Sequence, residues 1–248
     1  MDGSLEGKAA LVTGGARRVG AAIARRLHAA GARVLLHYRD SEADAARLES
    51  ELNAVRARSA AKVKAELLAP IAPRALVAAA LESFGRLDIL VNNASSFFPV
   101  PVGEMESSHW EEMIGANLRA PLFISQQAAP ELAKNEGAIV NIVDIHAERP
   151  LKGYALYTVT KAGLAAMTRS LALELAPRVR VNGVAPGAIA WPEDGQFEDA
   201  ERARILATTP LGRVGSPDDV ARAVHFLACA PYVTGQILAV DGGRSIFI

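Results

Sequence analysis

The sequence has almost nothing from which a disulfide framework or a metal centre could be built. Cys229 is the single cysteine among 248 residues, and the five histidines are scattered without a paired spacing. One cysteine cannot form an intramolecular disulfide, and isolated histidines lack the spacing of zinc ligands. We therefore expect a fold without disulfides and a site without a metal.

An excess of positive charge and long apolar runs are missing too. Lysine plus arginine and aspartate plus glutamate each number 27, so no basic surplus points to nucleic acid or to an anionic membrane. The opening MDGSLEGKAA has no basic segment followed by an apolar core, and no apolar run approaches the roughly 20 residues of a membrane span. We expect a soluble, cytoplasmic protein without nucleic-acid or membrane partners.

Apolar strands alternate with helices along the whole chain. Strands are predicted at residues 8–13, 32–38, 61–66, 87–92, 138–144, 179–185 and 236–240. Helices are predicted near 18–30, 42–57, 73–84, 108–134, 154–176 and 217–229. The nearly continuous apolar strands favour a parallel sheet covered on both faces. Because no linker or repeat divides residues 1–248, we expect one doubly wound α/β domain that binds ligands at the carboxyl edge of its sheet.

Two of these helices carry start signals. Ser216 stands before Pro217 with Asp219 three positions on, a pattern typical of an N-cap, a first-turn proline and an acidic third position. Ser108 with Glu111 resembles a capping box. These signals predict that both serines cap their helices.

A glycine turn joins the first strand to the first helix, in KAALVTGGARRVGAAIARRLHAAG. Gly14 and Gly20 let the backbone approach an anion at the helix N-terminus, where free N–H groups and the helix dipole favour phosphate. In this strand, turn and helix context the pattern predicts a dinucleotide pyrophosphate site.

Three residues predict proton-transfer chemistry. Tyr157 and Lys161 stand four residues apart, and Asp144 ends an apolar run thirteen residues before the tyrosine. A helix places positions i and i+4 on one face, so the ammonium can lie beside the phenol. Since a free tyrosine titrates near pH ~10, we expect Lys161 to lower the pKa of Tyr157 and so to prepare it as a proton donor.

Together these features resemble the short-chain dehydrogenase/reductases, and the resemblance covers essentially the whole chain. The matching segments are TGGARRVG, LDILVNNAS, GANLRAP, the Tyr157 and Lys161 pair, VRVNGVAPG and VDGG. The resemblance implies a single-domain Rossmann fold with seven parallel strands in the order 3-2-1-4-5-6-7. It also implies Tyr157 as proton donor, Lys161 as the residue that holds the nicotinamide ribose, and Asn117 as support for a proton-relay water.

The same resemblance assigns residues to the cofactor. Asn93 would brace the strand edge beneath it, and the turn of Pro186 and Gly187 would lie against the nicotinamide. The implied cofactor-binding set is Gly14, Arg17, Arg18, Val19, Gly20, His37, Tyr38, Arg39, Ser41, Glu66, Leu67, Asn93, Ala94, Ser95, Tyr157, Lys161, Pro186 and Gly187.

Three departures from the general family pattern resemble its pteridine reductase branch, in the bacterial form that lacks a long insertion after NASSF. Arg18 takes the place of the third glycine of the turn, Asp144 takes that of the usual catalytic serine, and the fourth strand continues as NNASSFFP. A pterin reductase must protonate a ring nitrogen after hydride delivery, and Asp144 can re-protonate Tyr157 or bind the ring nitrogens. Phe97 offers an aromatic face for a flat pterin.

The resemblance extends to the substrate and its cover. The implied substrate-binding set is Arg18, Ser95, Phe97, Asp144, Tyr157 and Trp191. Residues 188–210 are expected to form a loop that covers the substrate. Trp191 either closes over the pocket or anchors this loop, and Tyr154 either lines the pocket or packs against the loop.

The end of the second strand predicts NADPH rather than NADH. An NAD enzyme would place an acid directly after VLLH, whereas the chain reads His37, Tyr38, Arg39, Asp40, Ser41. Arg39 and Ser41 can hold a 2′-phosphate, and Arg17 adds a second positive charge. In the alternative, Asp40 is the acid that binds the ribose hydroxyls, although it stands one residue later than the family resemblance places that acid.

The leading functional hypothesis is therefore an NADPH-dependent pteridine reductase that reduces a C=N bond of dihydropterins, with oxidised pterins and folates as further substrates and antifolates as inhibitors. One alternative is a carbonyl or 3-oxoacyl reductase of the same superfamily. A second is a non-catalytic NADPH sensor. The helix of Tyr157 and Lys161 is apolar on more than one face, and a homotetramer is the family expectation.

Overall fold

The computed structural model describes residues 3–191 and 198–247 of the chain. Within that part, one sheet contains seven parallel strands in the order β3-β2-β1-β4-β5-β6-β7. The strands are β1 (Ala9–Val12), β2 (Arg33–Tyr38), β3 (Ala60–Lys64), β4 (Ile89–Asn92), β5 (Ala138–Ile142), β6 (Arg180–Pro186) and β7 (Ile237–Val240). The predicted sheet and its strand order are confirmed.

Helices cover both faces of this sheet. They are α1 (Arg18–Ala29), α2 (Glu42–Val55), α3 (Ala72–Phe84), α4 (Ser107–Ile114), α5 (Ala120–Lys134), α6 (Ala155–Leu175), α7 (Asp199–Ala207), α8 (Pro217–Cys229) and α9 (Arg244–Phe247). β1 shows why the strands read as continuously apolar: Ala10 and Val12 pack toward one core, and Ala9 and Leu11 toward another. The first core contains residues of α1 and α8, and the second contains residues of α3 and α5. Both faces of the central strands are therefore buried, as their sequence predicts.

The predicted helix at 108–134 is interrupted. Gly115–Arg119, between α4 and α5, is a π-helical segment, and Asn117 within it is buried. A π turn carries an extra residue, which changes the direction in which the following side chains point. The periodicity of the sequence does not reveal this interruption because the flanking turns remain helical.

One capping prediction is confirmed and the other is wrong. Ser216 caps α8 by accepting from the Asp219 N–H at 3.2 Å, and the Asp219 carboxylate accepts in turn from the Ser216 N–H at 2.8 Å. α4 begins earlier than predicted, so its N-cap is Glu106 and its capping box joins Glu106 to His109. Ser108 lies inside the first turn, where its hydroxyl contacts Glu106 at 3.4 Å. A glutamate cap was missed because Ser, Thr, Asp and Asn are the usual residues there.

Candidate active site

The three proton-transfer candidates meet at the carboxyl edge of the sheet. β5 ends at Ile142, and Asp144 follows as the N-cap of a short 3-10 turn. α6 presents Tyr157 and Lys161 on one face, and both side chains are buried. The spacing of these residues in the sequence therefore corresponds to proximity in the structure.

The Asp144 carboxylate is held at both of its oxygens. Oδ1 accepts a hydrogen bond from the His146 backbone N–H at 2.8 Å. Oδ2 accepts one from the Tyr157 hydroxyl, also at 2.8 Å. One bond fixes the orientation of the carboxylate and the other joins it to the phenol, so a proton can pass between the two side chains without a rearrangement of the backbone.

The pKa of Tyr157 departs from the expectation drawn from the sequence. It is raised well above the ordinary tyrosine value, first because the phenol is buried and then because the Asp144 carboxylate faces it. The expected lowering by Lys161 is therefore wrong for this structure. The i, i+4 spacing correctly places the ammonium near the ring, but the group that faces the hydroxyl is an anion. The phenol stays protonated at neutral pH and is available as a donor.

Lys161 is buried, and no carboxylate in the described part of the chain lies in direct contact with its ammonium. Its ammonium donates to the Ile142 carbonyl at 2.9 Å and lies 5.6 Å from the centre of the Tyr157 ring. Burial lowers its pKa from 10.5 to about 8, and the Asp144 charge offsets only part of that effect. A buried ammonium with one carbonyl partner has further donor capacity for a ligand.

Asn117 joins the turn after β4 to α6. Its Nδ2 donates to Thr160 Oγ1 at 3.1 Å and to the Ser96 carbonyl at 2.9 Å. Its Oδ1 accepts from the Ser96 N–H at 2.8 Å and from the Ser95 hydroxyl at 3.0 Å. Protein partners thus use the amide fully, which favours a positioning role for this side chain. The relay water that the family resemblance implies stays a prediction.

The glycine turn has the shape that an anion site requires. Gly14 adopts a φ of +59°, and a Cβ on Gly20 would overlap the Gly14 carbonyl oxygen. α1 then begins with an N-cap, Arg17, that makes no side-chain capping bond, and its first turn contains no acid. Free N–H groups and the positive end of the helix dipole face the cavity at this point, which suits a pyrophosphate. Asn93 braces the turn by donating to the Thr13 and Gly14 carbonyls at 2.9 and 3.1 Å.

Arg18 has a strained backbone at the start of α1. Its φ is +48°, in the left-handed region that glycine adopts readily, and its Nη2 donates to the Ala190 carbonyl at 3.2 Å. A side chain in this conformation costs about 1–2 kcal/mol. Strain of this kind often marks a functional position. The guanidinium lies where the glycine turn meets the segment after β6.

His37 connects the glycine turn to the neighbouring strands. Its Nδ1 accepts from the Gly14 N–H at 3.0 Å, so Nε2 carries the proton and donates to the Ala65 carbonyl at 3.1 Å. Burial lowers the pKa of His37, which keeps the ring neutral and preserves this tautomer.

Two arginines lie beside the end of β2. Arg39 pairs with Asp40 at 2.7 Å, and Arg17 pairs with Asp44 at 3.6 Å. Both arginines line the main cavity. The side chain of Asp40, the alternative ribose acid, is 76% exposed and forms its ion pair with Arg39.

The aromatic residues form a packed group next to the catalytic candidates. Phe97 contacts Tyr157 edge-on at 4.7 Å between ring centres, and Tyr154 stacks on Phe97 at 4.7 Å with an interplanar angle of 15°. Tyr154 is buried, so it supports Phe97 from one side. Phe98 points toward His109, 6.1 Å away, and joins the packing around α4.

One cavity of about 530 Å³ contains most of the predicted site. It is lined by the predicted cofactor residues Gly14, Arg17, Arg18, Val19, Gly20, His37, Arg39, Glu66, Leu67, Asn93, Ala94, Ser95, Tyr157, Lys161, Pro186 and Gly187, and by the predicted substrate residues Phe97, Asp144 and Trp191. Tyr38 is instead buried against Ala16 and Ala45, and Ser41 begins α2 without lining the cavity. Asn117 lies behind the cavity wall and acts through the contacts described above.

Sequence reasoning missed several residues that complete the walls. They are Leu68, Ser96, Ala116, Ile142, Val143, His146, Leu151, Ala188, Ile189, Ala190, Glu201, Arg204, Ile205 and Arg244. Ser96 and His146 lie one or two residues from predicted members of the site, so a wider window around each motif would have included them. Arg204 lies within the predicted covering segment 188–210, although its side chain was not singled out there. Arg244 follows the VDGG motif, and no pattern around it indicates that it lines the cavity.

The predicted covering segment at 188–210 contains a helix that was not expected. α7 occupies Asp199–Ala207, and residues 192–197 of the segment lie outside the described residues. Trp191 lines the cavity, and the Arg202 guanidinium lies 5.4 Å from the centre of its ring. Ile189 and Gly215 pair as an isolated β-bridge that ties the segment to the turn before α8.

Residues 3–191 and 198–247 contain neither a metal-binding cluster nor a membrane-spanning helix. No cluster of three or more histidine, cysteine, aspartate or glutamate side chains has the geometry to bind a metal ion. No helix in the same ranges has the length and apolar character needed to traverse a bilayer.

Comparison with known proteins assigns this architecture to a family. A family model described as enoyl-(acyl carrier protein) reductase matches residues 14–245. The chain belongs to the short-chain dehydrogenase/reductase family. This family relationship is the one that the sequence motifs resembled, and it accounts for the strand order and for the place of Tyr157 and Lys161 on α6.

Relatives within this short-chain dehydrogenase/reductase family include several reductases and dehydrogenases. Pteridine reductase 1 of Leishmania tarentolae is 41% identical over 280 aligned positions, which cover 96% of each chain. The protein assigned as ketoacyl reductase 2 of the granaticin polyketide synthase of Streptomyces violaceoruber is 38% identical over 97% of each chain. 3beta-hydroxysteroid dehydrogenase 1 of Eggerthella lenta is 38% identical, over 100% of this chain and 97% of its own. The chain is therefore an oxidoreductase, and its substrate has to be argued from the site.

Proposed function

We propose that this protein is an NADPH-dependent pteridine reductase, which reduces a C=N bond of dihydropterins to give tetrahydropterins. The observation that carries the proposal is the 2.8 Å hydrogen bond between Tyr157 and Asp144 beside the Phe97 ring. A carboxyl group and a phenol at this place suit protonation of a ring nitrogen, and an aromatic side chain suits a flat heterocycle. The 41% identity to a pteridine reductase supports the same assignment.

The residues at the glycine turn fit a dinucleotide. The anion site at the start of α1 would receive the pyrophosphate, and Lys161 has donor capacity for the nicotinamide ribose. Arg17 and Arg39 line the cavity at the end of β2, which favours a 2′-phosphate and hence NADPH over NADH. NADPH, when bound, supplies the hydride that the reduction consumes.

The protein's own groups supply the proton. Tyr157 is protonated at neutral pH, because burial and Asp144 raise its pKa, and it can transfer its proton to the ring nitrogen that hydride addition makes basic. The phenolate left behind is re-protonated when Asp144 takes up a proton from solvent and passes it across the 2.8 Å contact, which returns Asp144 to its carboxylate form. Lys161 and Asn117 hold α6 in place for this transfer through the Ile142 carbonyl and Thr160.

The substrate slot lies beside Phe97. Tyr154 stacks behind Phe97 and fixes the orientation of its ring, so a flat bicycle can stack on an aromatic surface that is already positioned. Arg18 stands at the glycine turn with donors for either a cofactor phosphate or a pterin ring, and Trp191 contributes to the outer wall. The segment 188–210 would cover this slot. Oxidised pterins and folates are further substrates within this proposal, and diaminopteridine antifolates are the expected inhibitors.

A carbonyl or 3-oxoacyl reductase is the alternative that a specific observation favours. The Streptomyces relative carries a ketoacyl reductase description, and the matching family model is described as a reductase of another acyl substrate, an enoyl-(acyl carrier protein). In such an enzyme Asp144 would replace a serine without changing the substrate class. The non-catalytic sensor is disfavoured by the intact Tyr157, Lys161 and Asp144 arrangement.

Assembly and location are part of the proposal. The surface of α6 exposes Val159 at 50% and Leu173 at 84%, and that of α5 exposes Phe123 at 44%. Exposed apolar side chains on neighbouring helices support a homotetramer, which light scattering of the purified protein can test. We propose the cytoplasm as its location.

The experiment that tests the function is NADPH oxidation against a panel of dihydrobiopterin, biopterin, dihydrofolate and short acyl ketones. Turnover of dihydrobiopterin with slow or no reduction of the ketones supports the proposal. Rapid ketone reduction without pterin turnover would assign the chain to the alternative reaction. NADPH binding without turnover of any substrate would favour the sensor.

A further inference from the structure

A second cavity adjoins the one that contains Tyr157 and Asp144. Its volume is about 830 Å³, and its walls come from the segment before α4, the turns between β5 and α6, α7 and the start of α9. The two cavities share the lining residues His146, Leu151, Glu201, Arg204 and Arg244. A substrate bound beside Tyr157 can therefore extend its side chain into this second cavity, which we call the vestibule.

Arg244 is a buried cation at the junction of the two cavities. Only 7% of its surface is exposed, and its Nη1 donates to the Ile205 carbonyl at 3.0 Å and to the Thr208 hydroxyl. Within residues 3–191 and 198–247, no carboxylate lies at ion-pair distance from this guanidinium. A buried charge without a counter-charge is costly, so this arrangement indicates a partner that the described residues do not supply.

The nearest acid in sequence does not serve as that partner. The Asp241 carboxylate accepts hydrogen bonds from the Gly243 N–H at 2.9 Å and from the Ser245 N–H at 2.7 Å. It is thus used to shape the turn into α9. Burial and then the charge of Arg204 lower the pKa of Arg244, with only a partial opposing effect from Asp241. An anion bound between Arg204 and Arg244 would offset both the cost of burying the Arg244 charge and its repulsion by Arg204.

The rest of the vestibule is also positively charged. Arg204 is 70% exposed and lies 3.9 Å from Glu201, which is the one acid among the described residues that line this cavity. Lys152 adds a further cation, and His146 lines the wall with its Nδ1 at 2.7 Å from the Arg149 carbonyl. Two arginines and a lysine therefore face a single glutamate.

We propose that Arg204 and Arg244 form a subsite for an anionic group, a carboxylate or a phosphate, on the side chain of the substrate. This inference rests on the proposed pterin reduction. Such a subsite would select pterins with an acidic side chain over pterins with a neutral one. Arginine suits this role because its planar fork binds both kinds of anion with two parallel hydrogen bonds. Neither arginine belongs to the motifs that define the family resemblance.

The test compares three substrates in the full-length enzyme: dihydrofolate with its carboxylate tail, dihydroneopterin phosphate, and dihydrobiopterin with a neutral side chain. In Arg204→Gln we expect KM to rise about five- to tenfold for the acidic substrate that the subsite accepts, as for the loss of one charge-assisted contact. We expect kcat and the KM of dihydrobiopterin to stay within about twofold.

Arg222→Gln on α8 is the matched control, because it removes one similarly exposed positive charge away from both cavities. A rise for dihydrofolate alone identifies a carboxylate site, and a rise for the phosphate alone identifies a phosphate site.

Equal changes for the neutral and acidic substrates, or no change for any, would overturn the subsite. If no pterin is turned over, the proposed function fails, and the subsite is tested separately by titration of p-aminobenzoylglutamate into the NADP⁺ complex. Binding that Arg204→Gln weakens and Arg222→Gln does not would support it, and binding that neither variant changes would refute it. Arg244→Lys, checked for thermal stability, keeps the charge but loses the fork, and should weaken binding of the acidic ligand in the same assay.

Discussion

Replacing Lys161 by methionine should change the pH dependence of stability in a direction that the structure determines. The ammonium is buried, and among residues 3–191 and 198–247 its one hydrogen-bond acceptor is the Ile142 carbonyl. Burial lowers its pKa from 10.5 to about 8. Because the folded-state value lies below the unfolded one, the charged lysine opposes folding at every pH below about 8. That cost disappears as the pH rises from about 8 toward 10.5.

The size of the effect follows from the two pKa values. A difference between 10.5 and about 8 corresponds to about 3 kcal/mol of the free energy of unfolding when complete. Between about pH 7 and about pH 9.5, about 2 kcal/mol of that cost should be removed. Methionine has a similar length and no charge, so the variant lacks this term.

The assay is urea unfolding of the wild type and of Lys161→Met at both pH values, without cofactor. The free energy of unfolding of the wild type should gain about 2 kcal/mol relative to the variant as the pH is raised. Titrations of groups remote from position 161 cancel in this difference, and the raised pKa of Tyr157 places its folded-state titration above this pH range. A difference between the two proteins that is the same at both pH values would show that Lys161 is solvated or paired in the folded state, and would refute the reasoning.

Three further variants test other parts of the site. Tyr157→Phe should bind NADPH with unchanged affinity and lose most turnover, because only the transferable proton is removed; a retained rate would reject the donor role. Arg39→Ala should weaken NADPH binding more than NADH binding in a fluorescence titration, and equal losses would remove the 2′-phosphate assignment. Arg18→Gly should relieve about 1 kcal/mol of left-handed strain and yet reduce kcat/KM. Its control is Arg58→Gly, at a φ of +57° away from the cavity, which should change thermal stability by the same amount and retain full activity. Full activity of Arg18→Gly would show that its strain has no functional purpose.

Features that depend on local sequence could be predicted. β1 is a fully apolar run and β2 is apolar at its centre, and the turn of Gly14 and Gly20 follows β1 directly. The strand order and the phosphate site therefore follow from neighbouring residues and from the family resemblance. The approach of Asp144 to Tyr157 was predictable for a similar reason, because the carboxyl end of β5 and the first turns of α6 are adjacent in a doubly wound sheet.

Features that depend on the tertiary environment could not be predicted from the sequence. The sequence places Lys161 and Asp144 near Tyr157 but does not show how deeply the phenol is buried. Burial, together with the Asp144 charge, raises the tyrosine pKa, so the predicted direction was reversed. Tyr38 looks like a cofactor residue by position but turns into the core. Arg244 reaches the cavity from the end of the chain, and its burial arises from packing that no local pattern reports.

The central claim is that Asp144 and Tyr157 act together on a pterin nitrogen. The most direct measurement is the ratio of kcat/KM for dihydrobiopterin to kcat/KM for a short acyl ketone, in the wild type and in Asp144→Ser. We predict that the ratio favours the pterin in the wild type and falls by at least about tenfold in the serine variant, as expected for a lost proton-transfer partner. An unchanged ratio, with Tyr157 and the fold intact, would contradict the account.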